Sequence, residues 1–146
     1  MKPISLTNLP TTKEFGTEKK LCDYIEFNIE LFCRDVLEEE YKSHTREYRL
    51  KPQYFGRYMS PRVDFYVETD KGSYLVEVKN PSNKYAEQVA AIGQLLSYKT
   101  QKPESEMVFV SSSFLQIVPE IITSFELPIT LAVVRKDMLA TWRHNG

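Results

Sequence analysis

The sequence predicts an α/β fold in which a mixed central sheet is flanked by helices on both faces. Three observations lead there. Apolar residues recur at Cys22, Ile25, Ile29, Phe32 and Val36, the 3.6-residue period of an amphipathic helix. The stretch RVDFYVETDKGSYLVEVK reads as two strands around an Asp70-Lys71-Gly72 turn, an antiparallel hairpin. Later, MVFV and ITLAVV are short, continuously apolar strands separated by a helical stretch, a pattern that suits parallel pairing with both faces covered.

Taken in order, Thr11 to Glu14 has the form of a capping box, and one long first helix is expected to end near the acidic run Glu38 to Glu40. On its wheel Glu18 falls in the middle of the apolar stripe, Glu26 at its edge and Glu30 outside it. Residues 42–62 should hold one strand and an irregular loop. After the hairpin and an Asn80-Pro81-Ser82 turn, YAEQVAAIGQLLSYK forms a second helix capped by Ser82 or Asn83. On that helix Glu87, Gln94 and Tyr98 share one face, opposite a stripe of Val89, Ile92 and Leu96. MVFV is a strand, FLQIVPEIITSF a third helix with Pro119 near its first turn, and ITLAVV the last strand. The order is α, β, β, β, α, β, α, β. Its 146 residues suffice for a single domain, 1–146, around one core.

Composition narrows the function classes. With 19 basic and 20 acidic side chains there is no global attraction to nucleic acid, so any such binding must come from a local patch. No run approaches the roughly 18 apolar residues of a membrane span, and MKPISLTNLPTTKEFG has no apolar leader core, so a cytoplasmic protein is expected. Cys22 and Cys33 lie 11 positions apart, about 16 Å along a helix, too far to bridge each other. They read as reduced core thiols. His44 and His144 have no zinc-type spacing to either cysteine, so a metal would be held by carboxylates.

Alternation in the second hairpin strand places Tyr74, Val76 and Val78 on one face and Leu75, Glu77 and Lys79 on the other, looking out. In the first, Val63, Phe65 and Val67 face one way and Asp64 the other. A register setting Asp64 beside Glu77 brings two carboxylates within reach of one cation, since neighbouring strands lie about 4.8 Å apart. Hard oxygen ligands suit Mg²⁺, with Mn²⁺ as a substitute. The preceding segment, KSHTREYRLKPQYFGRYMSPR, carries six Lys or Arg against one Glu, interleaved with Tyr48, Tyr54, Phe55 and Tyr58. It is either a solvated loop or a DNA-contacting one, with Arg46, Arg49, Lys51, Arg57 and Arg62 on phosphates.

These residues resemble the PD-(D/E)xK nuclease superfamily, whose motif is an acid, a variable gap, then acid-x-Lys. Here it stands as Asp64, twelve residues, and Glu77-Val78-Lys79, with Pro61 three positions before Asp64 where the strict motif has Pro-Asp. Gln94 and Tyr98 look like the Gln-xxx-Tyr signature of the RecB-like branch. The likeness covers roughly residues 14 to 112. It implies a restriction-endonuclease-like αβββαβ core, with a helix Glu in front of the hairpin: Glu18, with Glu26 as the competing candidate. It also implies Mg²⁺-dependent hydrolysis of a DNA phosphodiester. Asp64, Glu77, the Val78 carbonyl and Glu18 would hold the ion, Lys79 would position water or neutralise charge, and Gln94 and Tyr98 would orient Lys79 or the substrate strand. An endonuclease is expected. An exonuclease, an RNA-directed nuclease and a non-cleaving DNA-binding or assembly module of the same fold are the alternatives. Cutting both strands together would require a second subunit, so a homodimer stands beside DNA among the partners to consider.

Overall fold

A computed structural model describes residues 15–51, 61–81, 85–136 and 138–144. Helix α1 (Glu18–Phe27) starts where Thr17 is extended and its hydroxyl accepts the Lys20 N–H at 3.1 Å. That cap satisfies one of the orphan donors of the first turn, so Thr17→Ala should cost about 1 kcal/mol of stability in urea unfolding. The Thr11 to Glu14 box lies outside the described residues. Leu21, Cys22 and Ile25 are buried on the inner face of α1.

The single long helix expected here is interrupted. At Asn28 the side-chain amide donates to the Tyr24 carbonyl at 2.9 Å, while the backbone N–H is shared between the carbonyls of Tyr24 and Ile25. A short α2 (Ile29–Phe32) follows, then a π-helical turn, Cys33–Leu37, closed by Glu38 at φ +58°. The wider turn resets the helical phase, so Ile29, Phe32, Cys33, Val36 and Leu37 all remain against the sheet.

The sheet has six strands in sequence order: β1 (Tyr41–Arg49), β2 (Arg62–Thr69), β3 (Ser73–Val78), β4 (Glu106–Ser111), β5 (Ile129–Arg135) and β6 (Met138–Trp142). The β1–β2, β2–β3 and β5–β6 pairs are antiparallel, whereas β3–β4 and β4–β5 are parallel. Among the described residues this is an α/β fold with a mixed sheet flanked by helices. Helices α3 (Tyr85–Lys99) and α4 (Ile117–Ser124) make the two parallel crossovers and cover one face, packing on Leu75, Met107, Phe109, Leu131 and Val133. Two crossovers of one hand advancing in one direction must lie on the same face. Helices α1 and α2 and the π turn cover the other, against Phe65, Val76, Val78, Val108, Val110 and Ala132.

Some details depart from expectation. The buried face of α3 is Gln88, Ala91, Ile92, Leu95 and Tyr98, and of the predicted stripe only Ile92 belongs to it; Val89 is half-buried and Leu96 exposed. Gln88 takes an inward position because its amide donates to the Ser113 carbonyl and accepts the Leu115 N–H, satisfying the loop after β4. Helix α4 starts at Ile117, later than expected, because Phe114 is committed to an edge-on contact with Phe109. Pro119 sits in the first turn, where its missing N–H has no helical partner to lose. Strand β6 has no counterpart in the expected order; MLATW has too little alternation to announce itself. Cys22 and Cys33 are buried free thiols, each pushed up to about 12 chiefly by burial, which keeps them protonated and poor nucleophiles. Among the described residues no helix is long and apolar enough to cross a membrane.

Candidate active site

Strand β3 lies between β2 and β4 with helices over both faces, so its outer side is not solvent. Glu77 therefore does not look out as expected; it is only 4% exposed. The β2–β3 ladder ends with Phe65 opposite Val76. One step further, where Asp64 would pair with Glu77, the Asp64 carboxylate instead accepts the Val78 N–H at 2.7 Å. On the other side of β2 the ladder to β1 skips the Glu47 and Asp64 positions, and Glu47 has φ +54°. The alternation of β2 breaks at the same place. Val63 packs on the α3 side of the sheet while Phe65 and Val67 pack on the α1 side, so the three do not share a face.

The two carboxyl groups lie close enough for each to act on the other's proton affinity. Burial pushes Glu77 up to about 9, the Asp64 charge adds to the rise, and Lys79 opposes it. Burial also raises Asp64, against the pull of the Val78 N–H, and the charge of Glu47 acts in the same direction as burial. Two close, desolvated carboxylates without a cation share a proton at neutral pH. The Lys79 ammonium stands 4.0 Å from Glu77 Oε2 and 3.8 Å from Glu18 Oε1, bridging β3 to the first turn of α1. Burial raises Glu18 as well, and it feels Asp64 and Glu87.

The geometry decides between the two helix carboxylates. Glu18 reaches Lys79, whereas Glu26 is bound to His44 at 2.7 Å and to Arg46 at 3.2 Å. Tyr98 donates to the Arg62 carbonyl at 3.2 Å, and its phenol also reaches Glu77; burial and that carboxylate raise it above an ordinary phenol. Gln94 lies one turn before Tyr98 on α3, between it and Glu87, and its Oε1 is buried without a hydrogen-bond partner. The five candidate DNA contacts separate. Arg46 is tied to Asp23 at 2.7 Å and to Glu26, joining β1 to α1. Arg49 and Arg62 are ladder partners at the end of β1 and β2, with Lys51 just beyond. Arg57 lies outside the described residues. Glu47 was missed, although it is the lone acid in the basic segment, which is the signal that could have found it.

Among the described residues no three Asp, Glu, His or Cys side chains form a group that could hold a metal ion. Two carboxylates converge, and their fit to a cation rests on Glu77 Oε1, a buried acceptor with no hydrogen-bond partner. Such an atom is costly to bury and would be satisfied by a hard cation with open positions for water or phosphate. No family model matches the chain, and no curated protein or solved structure matches it with significance.

Proposed function

We propose that this protein is a divalent-metal-dependent DNA endonuclease of the PD-(D/E)xK type, built on a restriction-endonuclease-like fold. The observation that carries the reading is the meeting of Asp64 and Glu77 at the end of the β2–β3 hairpin, with Lys79 in reach of Glu77 and of Glu18. The order α1, β1, β2, β3, α3, β4 supports it, being the αβββαβ order of that family. Asp64 and Glu77 would hold Mg²⁺ or Mn²⁺, with the Val78 carbonyl and Glu18 as further ligands. A bound divalent ion supplies Lewis-acid stabilisation of phosphate charge and lowers the pKa of a water. Lys79 holds a positive charge against the same site, where it can orient a water and offset charge on the scissile phosphate. Tyr98 would orient the Glu77 carboxyl, and Gln94, one turn earlier on α3, carries a buried acceptor without a partner. One chain carries one such centre, so cutting two strands together calls for a second copy.

The deciding substrate is a supercoiled circle, tested with linear, single-stranded and branched DNA and RNA alongside, in Mg²⁺ and in chelator. Nicking or linearisation of the circle in Mg²⁺ alone is the expected result. Degradation only from free ends would make it an exonuclease, products from RNA alone would change the substrate, and binding without product in Mg²⁺ or Mn²⁺ would leave a non-cleaving module.

A further inference from the structure

Beyond the ends of β1 and α3 lies a concavity of about 400 Å³, lined by Tyr48, Arg49, Leu50, Lys51, Gln101 and Lys102. We infer that this cleft is a seat for the DNA backbone, in which Arg49, Lys51 and Lys102 contact phosphates of the strand presented to the active site. The identity of the polyanion rests on the nuclease reading above; the cleft itself does not.

Charge is the first argument. Among the described residues the lining holds three cations and no acid. Arg62 stands directly opposite Arg49 in the β1–β2 ladder, and like charges so placed destabilise a sheet unless an anion lies between them. Among the described residues none of Arg49, Lys51, Arg62 and Lys102 has a carboxylate within 4.0 Å, whereas the cations on the α1 side, Arg46 and Lys79, do. Among the described residues Arg46 and Lys79 are thus held in ion pairs on the α1 side, whereas Lys102 feels only the charge of Glu104 from beyond that distance.

Rigidity is the second. The Gln101 side chain donates to the Lys51 carbonyl at 2.9 Å and accepts the Lys51 N–H at 2.8 Å, fastening the end of β1 to the turn after α3. Tyr48 and Tyr66 stack with centroids 4.7 Å apart, and the Lys102 ammonium sits 5.4 and 5.3 Å from their ring centres. A cation fixed in this way has less side-chain entropy left to lose on meeting a phosphate.

Continuity with the site is the third. The backbone N–H groups of Gln101 and Lys102 both donate to the Tyr98 carbonyl, at 3.0 and 3.3 Å. The other end of Tyr98 binds the Arg62 carbonyl and reaches Glu77. One residue, through its backbone carbonyl and its phenol, thus links the turn at the cleft to the carboxylate pair. Lys102 is remote in sequence from the basic segment and arrives only through the fold.

The test uses the full chain and a labelled DNA duplex, with binding read by anisotropy across a salt titration in chelator, so that no cleavage enters. Removing one cation from a phosphate should reduce the slope of log affinity against log salt by about 0.9. Lys102→Ala is therefore expected to lower it by about 0.9, and the Arg49→Ala/Lys51→Ala/Lys102→Ala variant by about 2.7. Lys102→Arg should keep the parent slope, and thermal melting of each variant checks that it is folded. Parent slopes in folded Lys102→Ala and triple variants, or a parent that binds without salt dependence, would overturn the inference. Cleavage by the parent is read separately in Mg²⁺, so failure of the nuclease reading, seen as a parent that binds but does not cut, stays distinguishable from failure of this one.

Discussion

Asp64→Asn and Glu77→Gln are each expected to lower Mg²⁺-dependent DNA cleavage by about a thousandfold or more, while leaving the fold intact. Removing one preorganised electrostatic contact to a reacting phosphate commonly costs about 10²–10³-fold, and here the contact also holds the ion. The amides preserve shape and hydrogen bonding. In Asp64→Asn the new amide oxygen can still accept the Val78 N–H that Asp64 now receives at 2.7 Å, and in Glu77→Gln the new side chain can still fill the buried position beside Tyr98. Calorimetric titration with Mn²⁺ should show binding in the parent and its loss in both variants. If both variants cut DNA at the parent rate, Asp64 and Glu77 are not the active centre.

The same pair should write itself into the pH dependence of stability. In chelator, the parent is expected to lose stability steadily as pH rises from about 4.5 to about 9. Glu77 has an ordinary value of 4.5 when exposed and is held at about 9 in the folded protein, mainly by burial. Between those values the folded state keeps a proton that the unfolded state has released. Stability then falls with rising pH: the contribution is complete below the unfolded value and gone above the folded one. Asp64 shifts in the same direction and adds to the slope. Glu77→Gln, which cannot titrate, should flatten the curve and raise stability most at the alkaline end. Mg²⁺ should stabilise the parent increasingly with pH, because it binds the ionised pair. Urea unfolding at a series of pH values, with and without Mg²⁺, measures all three. Parallel curves for parent and Glu77→Gln would mean that Glu77 does not hold a proton in the folded state.

Much of this protein is legible from neighbours along the chain. The Tyr85–Lys99 helix has the bounds its apolar pattern predicts, the β2–β3 hairpin turns where Asp70-Lys71-Gly72 says it should, and that hairpin brings Asp64 to the end of β3, although the ladder itself stops at Phe65 and Val76 and Asp64 takes the Val78 N–H. These features depend on period and turn chemistry, which act over a few residues and are written locally. The tertiary structure decided the rest. Whether Glu77 looks out or is buried depends on the helices that come to cover β3, not on β3 itself. Glu18 and Glu26 both fall within reach of the inner face on a helical wheel, one at its middle and one at its edge, yet only packing shows that the first meets Lys79 and the second is taken by His44 and Arg46 on β1. Arg46 and Arg49 belong to one basic run, but only the first finds Asp23 and Glu26 opposite it. Lys102 joins the β1–β2 edge through the turn after α3, and the phase change at the π turn Cys33–Leu37 serves a core that is assembled from both ends of the sheet. Burial, charge pairing and proton affinity are set by atoms brought from distant parts of the chain, so alternation and periodicity name the candidates while packing chooses among them.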